Sequence, residues 1–313
     1  MKPLKMLHRG FDKLEIAIKG ALAPDDIEIL EAARAKAEKS HSPALVSIGP
    51  GDVDMHIAES GLRGGYAFRG DTGPMGELWF FKRGLSRDDW NIRVSIKALA
   101  LATIGWKQVY IRLLKTLKRL GVTAAEMRVG RVDYAIDYQM PLEFRLDPGC
   151  FISHSRSSRS EHSKVPPLLA AGNPHELLTH FACREVTSVT IGKMPGHQTI
   201  AYNKLYEVII KKNREWPLIW GVDLTDKSLA VFRVELRAGK RHLKSWNARD
   251  FLALERRLGT TFDKMIRSVR HVVPSEAEKN VTRWPLSRFW KCVCKMSGRG
   301  WLKALTDQAA AGS

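Results

Sequence analysis

Tyr202, flanked by Asn203 and Lys204 and followed five residues later by Glu207, is the grouping in this chain best suited to covalent chemistry. A phenol is a weak nucleophile while it keeps its proton, so a catalytic tyrosine needs a cation or a metal to stabilise the phenolate. The run Thr199-Ile-Ala-Tyr-Asn-Lys-Leu-Tyr-Glu207 reads as a short β-type segment that delivers Tyr202 beside an amide, a cation and a carboxylate. Lys204 is the residue placed to stabilise a phenolate or a phosphoryl group in transfer. Tyr206, four residues after Tyr202, would share its face if the strand continued, either as a second nucleophile or as a packing aromatic.

Two segments with alternating charge flank that run in sequence. In Arg131-Val-Asp-Tyr-Ala-Ile-Asp-Tyr138, strand geometry puts Asp133, Ala135 and Asp137 on one face and Val132, Tyr134, Ile136 and Tyr138 on the other. Two carboxylates at successive positions of one face repel, and a compensating cation or divalent metal would remove that cost. Oxygen-only ligation favours Mg²⁺ or Mn²⁺. In Val231-Phe-Arg-Val-Glu-Leu-Arg237, Arg233, Glu235 and Arg237 share a face opposite Phe232, Val234 and Leu236. That pattern points Glu235 toward a metal and the arginines toward phosphate oxygens. Taken singly, each strand reads as a solvent face with cross-strand Asp–Arg pairs. Taken together with the tyrosine run, they point to a metal-assisted tyrosine acting on a phosphodiester.

The elements that must position these residues are an α+β set, an antiparallel sheet with packed helices followed by a helical, basic C-terminal part. Phe11 to Lys19 alternates as a strand, and Pro24-Asp-Asp-Ile opens a helix with an acidic first turn. Residues 61–84 read as a hairpin, Trp90 to Ile96 as a strand, and Ile104 to Leu120 as a helix with a stripe of Val109, Leu113, Leu114, Leu117 and Leu120. Strands follow at Met127 to Tyr138, Ser188 to Tyr202 (a hairpin) and Leu229 to Arg237, then helices at Asp250 to Leu258 and Phe262 to Val269. The basic, low-complexity stretch Ser153 to Lys164 reads as an insert. Two regions are expected, a catalytic one over 11–245 and a helical basic one over 246–308.

The 313 residues carry a formal net charge of +18, with a 44% hydrophobic and 27% charged composition typical of a folded domain. So large a positive field calls for a polyanion, nucleic acid first. No stretch approaches the roughly 18 apolar residues of a membrane span, and the N-terminus lacks a signal-peptide core. The four cysteines are too scattered for a disulfide framework or a zinc ribbon. A cytoplasmic, reduced protein with no membrane partner is expected. Gly192-Lys-Met-Pro-Gly196 has the wrong spacing for a Walker motif, so ATP-driven unwinding would fall to a separate helicase. Trp284, Phe289 and Trp290, interleaved with Arg283, Arg288 and Lys291, are placed either to stack bases of single-stranded DNA or to pack in a core.

Asp133 to Asp137 after Arg131, Thr190-Ile-Gly-Lys193 leading to Ile200-Ala-Tyr-Asn-Lys204 and Glu207, then Phe232-Arg-Val-Glu235, together resemble the Rep_trans family. These are plasmid rolling-circle replication initiators with relatives among filamentous-phage initiators and conjugative relaxases. Arg283-Trp-Pro-Leu-Ser-Arg-Phe-Trp290 is similar to a C-terminal element of the phage-type members. The resemblance spans about residues 11–290. It implies a site-specific nicking and religating enzyme acting on origin DNA, single-stranded or as a hairpin. In the family the motif tyrosine, here Tyr202, forms a 5′-phosphotyrosyl link and frees a 3′-OH that primes synthesis. The resemblance places Asp133, Asp137, Glu207 and Glu235 as metal-site carboxylates, with Asp133 and Glu235 ranked first. Arg131, Arg233 and Arg237, with Arg283, Arg288 and Lys291, are the expected DNA contacts. A host helicase and DNA polymerase are implied as partners; a homodimer is left open. The alternatives are a conjugative relaxase and a non-catalytic DNA-binding replication or partition protein.

Overall fold

The computed structural model describes residues 4–153, 177–182 and 185–297. The chain divides into two compact units, Phe11–Val132 and Met1–Gly10 with Asp133–Ser313. The division falls inside two long strands, β1 (Lys5–Lys19) and β7 (Glu126–Gln139), and not near residue 245. The stretch Ser153 to Lys164, read as an insert, lies outside the described residues from 154 onward.

In the unit 11–132, β1 is followed by α1 (Pro24–Ser40), β2 (Ala44–Ile48), β3 (Val53–Ile57), β4 (Phe68–Asp71), β5 (Glu77–Phe81), β6 (Ile92–Ile96), α2 (Ala98–Ile104) and α3 (Trp106–Arg119). The strands pair antiparallel in the order β2-β3-β4-β5-β6-β1. Leu14, Ile16 and Ile18 alternate into the core, as the period-2 pattern demands, and α1 covers part of the sheet with Leu30, Ala33 and Ala37. Asp26, buried at the start of α1, accepts the amide of Gly49 at 2.7 Å. This holds a turn whose φ of 75° suits glycine. Of the expected α3 stripe, Val109, Leu113, Leu117 and Leu120 are buried, whereas Leu114 is 43% exposed. Strands β2 and β3 escaped the sequence reading, although Val53–Ile57 alternates buried and exposed residues.

The second unit holds the rest of β7, then β8 (Phe151–Ser153), β9 (Leu177–Ala182), β10 (Glu185–Gly192), β11 (His197–Asn203), α4 (Lys204–Ile210), α5 (Glu215–Trp220), β12 (Val231–Gly239), α6 (Lys240–Ser245), α7 (Phe251–Ser268), β13 (Val269–His271) and α8 (Arg288–Ser297). Its main sheet runs β7-β12-β11-β10-β9, with antiparallel pairing from β12 through β9. The α+β class with an antiparallel sheet is therefore what the chain adopts.

Strands β7 and β12 are covered on both faces, and nearly every residue from Val132 to Tyr138 and from Val231 to Leu236 is buried. Their apolar face meets the C-terminal helices. Tyr134 packs against Phe262 of α7, with ring centres 6.0 Å apart, and donates to the carbonyl of Met296. Tyr138 meets Phe289 of α8 edge-on at 6.0 Å. The residues after 245 thus form the back of this sheet. Instead of two helices there is one, α7, because Leu254, Leu258, Phe262 and Met265 keep a single buried stripe through Gly259.

A fully buried ion pair locks the opposite face. Arg233 of β12 and Asp137 of β7 form a two-pronged bridge, Nε to Oδ1 at 2.6 Å and Nη2 to Oδ2 at 2.8 Å, with both side chains at 0% exposure. Deleting one partner strands a charge away from water, so Arg233→Met is expected to cost about 3–5 kcal/mol. Arg288→Ala, at the exposed start of α8, should stay within about 0.5 kcal/mol. Urea denaturation of the two variants checks this, and equal midpoints would contradict it.

Candidate active site

Tyr202 lies next to the last residue of β11, and the register sets its surroundings. Tyr202 pairs with Arg233, Ile200 with Glu235 and Gln198 with Arg237, so these six share one face of the sheet. Asn203 then turns the chain. Its Oδ1 accepts the amide of Tyr206 at 2.9 Å and caps α4, which begins at Lys204. The tyrosine therefore stands at a strand-to-helix junction, held by the sheet on one side and by a helix start on the other.

Around it are two layers. The inner one is the Arg233–Asp137 pair. Asp137 also accepts the indole N–H of Trp220 at 2.8 Å, and the Arg233 guanidinium lies 4.2 Å from the centre of the Trp216 ring. His8 meets Trp216 edge-on at 5.3 Å. Every charge in this layer is matched by a partner of good geometry, as burial requires. The outer layer is Glu235, Arg237 and Asp133. Arg237 Nε donates to Glu235 Oε1 at 2.6 Å and lies 3.9 Å from Asp133 Oδ2. The other oxygen of Glu235, Oε2, is 3.4 Å from the phenol oxygen of Tyr202, a half-buried residue. Both acids are buried, while the Arg237 side chain is 28% exposed.

Lys204 is buried, with its ammonium 5.6 Å from the Tyr202 ring centre and 5.0 Å from that of Trp216. It donates to Glu207 Oε2 at 2.8 Å, and Lys211 donates to the other oxygen at 2.6 Å. Burial alone would raise the pKa of Glu207; the charges and hydrogen bonds of Lys204 and Lys211 overcome it and bring the carboxyl down to about 2.

The residues expected to act together are thus only partly gathered. Tyr202, Lys204, Glu235, Asp133 and Arg237 surround one half-buried site. Asp137 faces the same side, but Arg233 and Trp220 engage both its oxygens, and Glu207 is held by two lysines. Among the described residues no group of three or more His, Cys, Asp or Glu side chains is placed to hold a metal. Arg233, expected to touch DNA, is wholly enclosed because β12 is an interior strand. Arg131 belongs to the other unit and is half-buried. There burial disfavours the Glu15 carboxylate, but Arg93, Lys13 and, less strongly, Arg131 hold its pKa below the usual value. Phe289 and Trp290 are core residues and cannot stack bases, whereas Arg283, Arg288 and Lys291 are exposed. Tyr206 is on α4 rather than on a continued strand, so it does not share the face of Tyr202. Sequence reasoning missed Trp216 and Trp220. Their i, i+4 spacing in Glu215-Trp-Pro-Leu-Ile-Trp220 was the available signal.

No protein-family model and no curated protein matches the chain. Among solved structures it is similar to the rolling circle replication initiator protein from Geobacillus stearothermophilus, at 15% sequence identity and a TM-score of 0.45, over 97% of this chain and 97% of that one.

The Glu207 contacts make a pH-dependent prediction. Its folded pKa lies below the ordinary 4.5, so its contribution is complete above that value and is lost as pH falls toward about 2. Glu207→Gln should destabilise the protein by about 2 kcal/mol at neutral pH. The gap to wild type should close as the solution is acidified below the ordinary carboxylate range. Chemical denaturation at several pH values measures it; a gap that does not change with pH would contradict the ion-pair assignment.

Proposed function

We propose that this protein is a rolling-circle DNA replication initiator, a strand-nicking and joining enzyme whose nucleophile is Tyr202. The observation that carries the reading is the Tyr202 phenol oxygen 3.4 Å from a buried carboxylate oxygen of Glu235, beside the buried ammonium of Lys204. A phenol in that position has a proton acceptor and a cation at hand, the two requirements for attack on phosphorus. The order of the motifs along the chain, the net charge of +18 and the exposed arginines and lysine of the C-terminal part agree with a DNA substrate.

The chemistry follows from the placement. Tyr202 passes its proton to Glu235 Oε2 as its oxygen bonds to phosphorus. The bond from phosphorus to the 3′ oxygen breaks, and Glu235 returns the proton to that oxygen, leaving a 3′-OH and a 5′-phosphotyrosyl link. No proton or phosphoanhydride is consumed, so the reverse reaction rejoins the strand without ATP. Lys204, with its ammonium 5.6 Å from the Tyr202 ring centre, stabilises the negative charge that builds on the phenol oxygen as the proton leaves, and Arg237, the partly exposed member of the outer layer, contacts a phosphate oxygen. Asp133 and Glu235 are the carboxylates that would hold a hard divalent ion, Mg²⁺ or Mn²⁺. Arg237, already positioned between these two acids, marks the place where they attract positive charge. Bound there, the ion would neutralise the non-bridging phosphate oxygens. Asp137 and Glu207 hold Arg233 and Lys204 in place instead.

Supercoiled DNA bearing the cognate origin, incubated with protein and Mg²⁺, is expected to yield relaxed circles and a covalent protein–DNA adduct. Tyr202→Phe should abolish both, and Glu235→Gln should lower the rate by about 10²-fold or more. Retained binding with no adduct under any divalent ion would favour a non-catalytic DNA-binding protein.

A further inference from the structure

Helix α4 is built inside out. Its buried side carries Lys204 and Val208, while Tyr206, Ile209 and Ile210, spaced i, i+3 and i+4 on one face, are 38%, 55% and 63% exposed. A surface helix ordinarily turns its apolar stripe to the core. Here the core-facing position is taken by the lysine that serves Tyr202, and the apolar stripe faces out. Three cations, Lys211, Lys212 and Arg214, follow immediately, and all are exposed. The one carboxylate in α4, Glu207, is neutralised by Lys204 and Lys211.

We propose that this face of α4, with Lys211, Lys212 and Arg214, binds the unpaired nucleotides that adjoin the phosphate attacked by Tyr202. The inference rests on the nicking reading and names the form of DNA the site accepts. Helix α4 as a whole spans about 10 Å of axis, starting at the residue after Asn203, and the face occupies its last two-thirds. It is therefore within reach only of nucleotides next to the scissile one. Apolar side chains beside cations match one feature of DNA, a base face next to its phosphate. A duplex hides its base faces in the stack and offers only phosphates and groove edges, which cannot cover Tyr206, Ile209 and Ile210. Charge selects nucleic acid over an ordinary protein surface. Residues 1–10 and 133–313 hold 32 basic and 18 acidic residues, whereas 11–132 holds 19 and 15. The positive field is thus concentrated on the unit that carries this face.

The test is made in the Tyr202→Phe background, so that binding is read without cleavage. Fluorescence anisotropy compares a short labelled oligonucleotide with its duplex. Replacing the apolar face (Tyr206→Ala, Ile209→Ser, Ile210→Ser) is expected to weaken single-strand binding about tenfold or more and duplex binding by less than about twofold. The salt dependence should not change, because no phosphate contact is removed. Lys212→Gln with Arg214→Gln should weaken both ligands and reduce the slope of log K against log salt by about 1–2. Unchanged single-strand affinity, or equal loss for single strand and duplex, would overturn the proposal. So would a change in the sedimenting mass of the DNA-free protein, which would assign the face to a second copy of the chain. Because adduct formation is scored separately with Tyr202 present, a failed surface and a failed nucleophile give different results.

Discussion

Charge burial on two adjacent interior strands is the constraint from which the rest of this unit follows. β7 and β12 are covered by helices on both faces, yet between them they carry Asp133, Asp137, Arg233, Glu235 and Arg237. Ionised groups removed from water cost several kcal/mol each unless paired with good geometry. The Arg233–Asp137 bridge meets that demand, with a third hydrogen bond from Trp220 and the Trp216 ring against the guanidinium. Once that pair is fixed, so is the register of β12 against β7, and β12 in turn sets where β11 presents Tyr202.

The same constraint separates scaffold from chemistry. The inner pair is fully buried, and both oxygens of Asp137 are engaged by Arg233 and Trp220, which makes it rigid. The outer group is looser: Arg237 is shared unevenly between Glu235 and Asp133, is partly exposed, and sits beside a tyrosine whose contact with Glu235 is long for a hydrogen bond. Long, adjustable contacts suit groups that, in the proposed reaction, would change partners as a phosphate binds. Lys204 links the layers, since its ammonium touches both the Trp216 ring of the scaffold and the Tyr202 ring of the outer group.

Much of this was legible in the sequence, and the failures have physical causes. Strand alternation put Asp133 with Asp137 and Glu235 with Arg233 and Arg237 on common faces, which is how they are arranged. Alternation cannot say whether a charged face looks at solvent or at another layer, and so Arg233 read as a DNA contact when it is a core residue. The aromatic residues Phe289 and Trp290 read equally as base-stacking or core, and only the packing of α8 against Tyr138 decides for the core. Tyr206 was grouped with Tyr202 by continuing the strand, although Asn203, a favoured N-cap residue, was the available sign that a helix starts there. The C-terminal helices read as a separate basic region because their charge is visible in sequence and their buried stripe, interrupted by Gly259, is less so. The two tryptophans of α5 lie in a segment with no charge pattern, although they complete the site.

The most direct measurement of the central claim is peptide mapping by mass spectrometry after the protein has been trapped on a nicked strand and the DNA trimmed by nuclease. The account predicts a residual nucleotide on the phenol oxygen of Tyr202. A nucleotide on Tyr206, on another residue, or on none, with the DNA nonetheless cut, would contradict it.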